Sequence, residues 1–403
     1  MKKNRLSSFL LALSLTLGLL APMGAAQAAE SRSAILDGME VEATAAILVD
    51  TTYGSLDVLY DQNSHERRYP ASITKVMTAL LVMEAIDAGQ MTADTMITAS
   101  ETSQQGLSIY GSTQNIKPGE TISVKDLLYC LLVPSANEAA NILAEAVDGS
   151  VEEFVAHMNR KAGELGCQGT HFANPHGLHN DDHYTTALDL AHIVKAAMEY
   201  DLFRQIVYTS VYETAATNMS APRTFYNTNG LITQWRFRGY LYDKAIGVKT
   251  GSTDEAGYCL ASAAQDGDDY LIAVVLGSET SQQRFEDAKT MLNYGFSTYV
   301  LADITPEETP VAPVRLGRTP SVEASLAQSK LLVGKGQAGG LTRTVKLQED
   351  LSAPVEKGQA VGILTVQSGD TTLAELPLTA AAAVERMTWG DLFTRLLRAA
   401  VFG

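Results

Sequence analysis

Three short strings hold residues whose types and spacing suit acyl transfer. In "YPASITKVMTALLV" (69–82), Ser72 and Lys75 stand three apart where a helical pattern begins. Residues at i and i+3 share one helix face, so hydroxyl and amine lie side by side. A serine hydroxyl at its free pKa is a poor nucleophile and needs a base beside it. Lysine can serve if its amine is neutral when the proton moves, and burial or a second nearby cation lowers its pKa. The helix N-terminus adds positive potential, and its free N–H at Ser72 can receive a developing oxyanion. Alone, the pair also describes a helix start followed by a solvated lysine.

Two further strings narrow the choice. "PSANEAAN" places Ser135 and Asn137 in a loop between two helical patterns. "GVKTGST" places Lys249, Thr250 and Gly251 at the end of a β-like run, followed by Ser252. Ser135 can pass a proton between Lys75 and a leaving amine, and Asn137 can bond a substrate amide. Lys249 offers a fixed charge near both hydroxyls and a substrate carboxylate, and Thr250 is a further substrate-binding candidate. Gly251 lets a substrate backbone lie against the strand with no Cβ in the way. The N–H of Ser252 can complete the oxyanion hole. SxxK, SxN and KTG, in that order, form the signature of serine penicillin-interactive enzymes.

His176, His179 and His183 invite a metal reading by number. His179 lacks the helical context that would aim it with the other two, so no metal or cofactor is expected. Cys130, Cys167 and Cys259 are odd in number and widely spaced, with no CxxC. They read as free thiols, Cys130 and Cys259 within apolar runs.

These side chains need a scaffold. "TAAILVD" (44–50) and "LDVLYDQN" (56–63) read as a β-hairpin. Helical patterns then fill residues 70 to about 200. Strand signals return at "KAIGVKTG", "GYCLASAAQ" and "DYLIAVVLG", the last two joined by the turn string "DGDD". "FEDAKTMLNYGFSTYV" reads as a closing helix. Strands from both ends of this stretch can meet in one mainly antiparallel sheet with helices on its faces and a helical lobe beside it, an α+β arrangement. Beyond Asp303 the proline-rich "ITPEETPVAPVRLGRTP" leads into short β-like runs, which predict a small all-β domain.

At 46% hydrophobic and 19% charged, the 403 residues describe a globular chain of more than one domain. A formal charge of −16 argues against a nucleic-acid partner. Lys2, Lys3 and Arg5, an apolar run and small residues ending "AQA" form the three regions of a secretory signal. In "WGDLFTRLLRAAVFG", Trp389, Leu392, Phe393, Leu396, Leu397, Ala400 and Val401 make one apolar helical stripe, with Asp391, Arg395 and Arg398 off it. Such a helix suits a membrane interface, or a protein surface. The expected layout is a signal peptide over 1–29, a catalytic domain over 30–303, a small β domain over 304–383 and an amphipathic anchor over 384–403.

Beyond the three motifs, "IKPGETISVKDLLYCLLVPSANEAANILAE", "FANPHGLHNDDHYTTALDLAHI" and "GVKTGSTDEAGYCLASAA" resemble the D-alanyl-D-alanine carboxypeptidases, low-molecular-mass penicillin-binding proteins, over about residues 35 to 300. The resemblance implies a β-lactamase/transpeptidase-like fold. It implies acylation of Ser72 by a terminal D-Ala-D-Ala of peptidoglycan stem peptides, release of D-alanine, then hydrolysis, with β-lactams as acylating inhibitors. It makes Lys75 the general base and gives Arg284, in "SQQRFEDAKTML", the substrate carboxylate. The secretory signal and the terminal helix together predict an exported enzyme on the outer face of the cytoplasmic membrane, facing the cell wall. A class A β-lactamase shares the short motifs but also needs a deacylating glutamate in an ExxLN string, absent from "RKAGELGCQGTHFANPHGL". An endopeptidase cutting peptide crosslinks with the same site is the other alternative.

Overall fold

The computed structural model describes residues 39–402 apart from 40 and 53. The expected signal peptide lies outside the described residues. The rest divides into two compact units. The larger runs to Glu307 and includes Gln328–Leu341, and the smaller comprises Glu308–Ala327 with the chain from Thr342.

A five-stranded sheet is the backbone of the larger unit. Its order is Asp57–Gln62, Ala45–Asp50, Asp269–Ser278, Gly257–Asp266 and Ala245–Thr253. Every neighbouring pair is antiparallel. The expected hairpins therefore form, and the two ends of the chain segment meet where Ala45–Asp50 pairs with Asp269–Ser278. Alternation along each strand splits the core. Ile47, Val49, Ile272 and Val274 face one cluster, which contains the helices Lys75–Asp87, Val124–Leu132, Asn137–Asp148 and Ala187–Ala197. Ala46, Leu48, Ala273 and Val275 face the other, under the helix Gln283–Thr298 with Phe285, Met291 and Leu292. The sheet is thus covered on both faces.

Lys75–Asp87 is the central helix. Every residue from Lys75 to Met83 is buried, as expected for a helix apolar on all sides. The sequence predicts one helix from Pro70 onward, but the structure differs at its mouth. Ala71–Thr74 form a 3-10 turn and the α-helix starts at Lys75. Ala71 has φ +47°, outside the helical region, so the chain enters through a tighter turn. In 3-10 geometry side chains at i and i+3 eclipse, which lines Ser72 up with Lys75 more directly than an α-turn does.

A second difference follows Gln283–Thr298. The helix stops at Thr298, and Tyr299–Asp303 form a strand paired antiparallel with Lys330–Gly334. The aromatic and β-branched Tyr299 and Val300 suit a strand better than another helical turn.

The smaller unit holds a five-stranded sheet in the order Val311–Pro313, Ser321–Ser325, Thr371–Ala380, Ala360–Ser368, Leu341–Leu347. Val322, Ala324, Val361, Leu364, Val366 and Leu378 are buried in its core. The helix Trp389–Phe402 closes the chain.

Candidate active site

The SxxK turn is built from beneath by the loop 173–183. Gly177, at φ +84°, passes so close that a Cβ there would stand 1.9 Å from the Ala71 carbonyl oxygen. The Asn174 side chain fixes this loop by accepting from the N–H groups of His176 and Gly177 and donating to the Leu178 carbonyl. The Thr74 hydroxyl donates to the Ala71 carbonyl (2.8 Å), and the Thr78 hydroxyl donates to the Pro175 carbonyl (2.6 Å). His183 Nδ1 accepts from the Ala173 N–H (3.0 Å). Its Nε2 lies 2.8 Å from Thr74 Oγ1, whose proton is already given to Ala71, so Nε2 donates and the ring is the neutral Nε2–H tautomer.

Lys75 is wholly buried. Its Nζ lies 2.9 Å from Ser72 Oγ, 2.8 Å from Asn137 Oδ1 and 2.6 Å from the His176 carbonyl oxygen. A carbonyl and an amide oxygen can only accept. A neutral amine has two N–H donors and one lone pair, so those two partners take both donors and leave the lone pair for the Ser72 hydroxyl. The environment favours that neutral form. Burial pushes the Lys75 pKa well below its usual value, the charge of Lys249 adds to the shift, and Glu138 opposes it.

The second motif stands opposite. Ser135 has φ +72° and is held by the Ala136 N–H donating to the Cys130 carbonyl (2.9 Å). A non-glycine residue in that region is strained and marks a site where geometry is imposed. Ser135 Oγ is buried with no partner, a free hydroxyl inside the site. Asn137 opens the helix Asn137–Asp148.

The KTG strand closes the third side. A Cβ on Gly251 would stand 2.8 Å from the Pro70 carbonyl oxygen and 3.1 Å from Ser72 N, so glycine is required for this approach. Lys249 is buried, and its Nζ donates to the Thr250 carbonyl (2.9 Å). Burial first, then the nearby Arg284 charge, lowers its pKa to about 7. Thr250 Oγ1 meets Thr228 Oγ1 at 2.5 Å, and Ser252 lies exposed at the strand's outer end.

Arg284 stands at the start of the helix Gln283–Thr298, against the KTG strand. Its guanidinium is buried behind the strand, with Nη1 donating to the carbonyls of Gly251 (3.1 Å) and Cys259 (3.4 Å) and Nε to Ser281 (3.2 Å). It braces the strand that carries Gly251, and burial lowers its pKa to about 10.

The three histidines do separate jobs. Burial lowers the pKa values of His176 and His183 to about 3 each. His179 packs edge-on against Tyr69 and faces Asp181 and Glu255. All three cysteines are free; Cys130 and Cys259 are buried and Cys167 half-buried. Sequence reasoning missed Gly177, Thr228, the His176 carbonyl and the carboxylate of Glu138, and weighed His183 only as a metal ligand. Only Gly177 and Glu138 left a trace, a glycine within a histidine-rich loop and an acid directly after the SxN string.

Comparison with known proteins identifies the chain's relatives. Residues 304–386 match the C-terminal domain of penicillin-binding protein 5. The D-alanyl-D-alanine carboxypeptidase DacF of Bacillus subtilis is 36% identical over 362 residues, 89% of each chain. The crystal structure of penicillin binding protein 5 from Haemophilus influenzae superposes with a TM-score of 0.77 at 27% identity, covering 87% of this chain and 99% of that one. The Streptomyces K15 DD-transpeptidase superposes at 0.58 with 32% identity, covering 64% of this chain and 98% of that one. Residues 27–280 match the family described as D-alanyl-D-alanine carboxypeptidase, and the chain belongs to that family of serine peptidases.

Proposed function

We propose that this protein is a serine-type D-Ala-D-Ala carboxypeptidase that removes the terminal D-alanine from peptidoglycan stem pentapeptides through a Ser72 acyl-enzyme, and that β-lactams acylate the same serine. The observation that carries the reading is the Lys75 amine, wholly buried, flanked by two acceptors and 2.9 Å from Ser72 Oγ.

Each step has a group to perform it. Lys75 accepts the Ser72 proton as Oγ bonds to the carbonyl carbon of the penultimate D-alanine. The oxyanion forms beside the N–H groups of Ser72 and Ser252. As the C–N bond breaks, the proton passes from Lys75 through Ser135 Oγ to the departing amine. Asn137 Nδ2 bonds the substrate amide while Oδ1 stays on Lys75. Lys249 and Thr250 face the terminal carboxylate, which favours the charged form of Lys249; Arg284 adds positive charge from behind the strand. A water then repeats the sequence, giving its proton to Lys75 and its oxygen to the acyl carbon, and Ser72 regains its proton.

The layout belongs to the same proposal. Residues 1–29 are read as a signal for export, 30–303 as the catalytic domain and 304–383 as the β domain. Residues 384–403 are read as a helix that holds the enzyme on the outer face of the cytoplasmic membrane. Its exposed apolar face supports an interfacial position, while among the described residues no helix is long and apolar enough to cross a membrane.

A penicillin pulse followed by intact mass measurement and peptide mapping tests the chemistry. One adduct on Ser72 is expected, with none on Ser72→Ala, together with D-alanine release from a D-Ala-D-Ala peptide. Fast penicillin turnover without D-alanine release would replace this reading with a β-lactamase. Cleavage of crosslinked muropeptides in preference to pentapeptides would make the enzyme an endopeptidase.

A further inference from the structure

We infer that Glu138 is a positioning residue for the acyl transfer: from beneath the SxN segment its carboxylate ties the loop 111–116 to the start of the helix Asn137–Asp148, and so fixes the carboxamide that aims the Lys75 amine. The inference rests on the serine-acylation mechanism above.

Glu138 is fully buried in the first turn of that helix. Its Oε1 accepts from the Thr113 hydroxyl (2.9 Å), the Gln114 N–H (2.6 Å) and the Ile116 N–H (3.4 Å). The same loop grips the adjacent residue. The Asn137 N–H donates to the Ser112 carbonyl (2.9 Å), and a Cβ on Gly111 would stand 2.6 Å from Asn137 Nδ2. Asn137 is therefore bounded on one side by a loop that Glu138 anchors and on the other by Lys75 Nζ. A burial this complete is costly for a carboxylate unless several donors converge on it; here all three come from the loop to Oε1, while Oε2 is buried without a partner.

The charge matters as well as the tether. Glu138 acts on Lys75 against Lys249, and on Cys130 and Arg223 from the neighbouring elements. His176 and His183 also face Lys75, both neutral above about pH 3. Lys249 and Glu138 thus act on the Lys75 amine in opposite directions.

Two variants of the full chain test this, each followed by penicillin acylation rate against pH and by thermal melting. Glu138→Gln keeps one carbonyl oxygen for the three loop donors. Its new amide sits one turn from Asn141 Oδ1, itself buried without a partner. It is expected to fold and to acylate about tenfold more slowly at the plateau. The acid limb of the rate profile is expected to move roughly half a pH unit lower, because a negative charge beside the base is gone. Glu138→Ala also frees the loop and is expected to lose about a hundredfold in rate, with the same displacement of the acid limb. Wild-type rates with an unmoved acid limb in both variants would overturn the inference. So would a lower melting temperature in either with rate and limb unchanged, which is a purely structural role. Wild type is run alongside, and its failure to be labelled at Ser72 would instead sink the mechanism beneath.

Discussion

His176 and His183 are neutral because burial leaves their charged forms without water, and each has a pKa of about 3 against 6.5 for a free imidazole. The sign of the stability effect follows. Between pH 6.5 and 3 the unfolded chain binds protons that the folded chain refuses, so stability falls as pH drops through that window. Each histidine costs about 1.4 kcal/mol per pH unit there. His183→Asn tests the share of one ring. Its side-chain oxygen can still accept from the Ala173 N–H, but it cannot titrate, and it loses the bond to Thr74. The variant is expected to be less stable near neutrality by about 1 kcal/mol. Its stability should fall with a slope about 1.4 kcal/mol per unit shallower between pH 5.5 and 4.5. Urea melts at the two pH values give that slope, and parallel curves for wild type and variant would mean His183 is charged in the fold.

At the scale of elements, the SxxK turn and the loop 173–183 form one interlocked unit, with Gly177 at its tightest point. Gly177→Ala adds a Cβ at 1.9 Å from a backbone oxygen and forces a side chain into φ +84°. The turn or the loop must move, and either shift displaces Ser72 or the His176 carbonyl that holds Lys75. A loss of about 3 kcal/mol or more in stability is expected, with acylation of the folded protein slowed at least tenfold. Melting and penicillin labelling check both, and a variant matching wild type in both would show that the loop yields freely. The sequence reveals this region unevenly. The helices Val124–Leu132 and Asn137–Asp148 and the strand Ala245–Thr253 stand where periodicity and turn residues place them. The motif order also reveals that Ser72, Ser135 and Lys249 belong together. What supports them is invisible there. The acceptors for Lys75 include a backbone carbonyl 101 residues away, and main-chain atoms carry no residue signature. Arg284 shows the converse. Its position was legible, but its bonds to the Gly251 and Cys259 carbonyls depend on how a helix packs on a sheet.

For the whole molecule, the question is what the exposed face of the terminal helix meets. The helix starts with a reciprocal cap: the Asp391 N–H donates to Thr388 Oγ1 (3.3 Å) and the Thr388 N–H to Asp391 Oδ2 (2.8 Å). Arg318 pairs with the same Asp391 and with Glu385, so the helix start is tied to its own β unit. Beyond that start, Trp389, Phe393 and Leu397 recur every fourth residue and are 89%, 65% and 49% exposed. Spacing of four keeps them on one face. Three large apolar side chains aligned in water cost free energy that an interface would recover, and Trp is suited to the headgroup level. Deleting residues 388–403 therefore should leave penicillin labelling and D-alanine release unchanged in solution while abolishing co-sedimentation with phospholipid vesicles. A milder variant, Trp389→Ser with Phe393→Ser, keeps the cap and the ion pairs and should weaken vesicle binding at least tenfold. If the truncated enzyme still sediments with vesicles, the helix is not the anchor. If both variants stay in solution but lose thermal stability with no change in vesicle binding, the apolar face packs against protein.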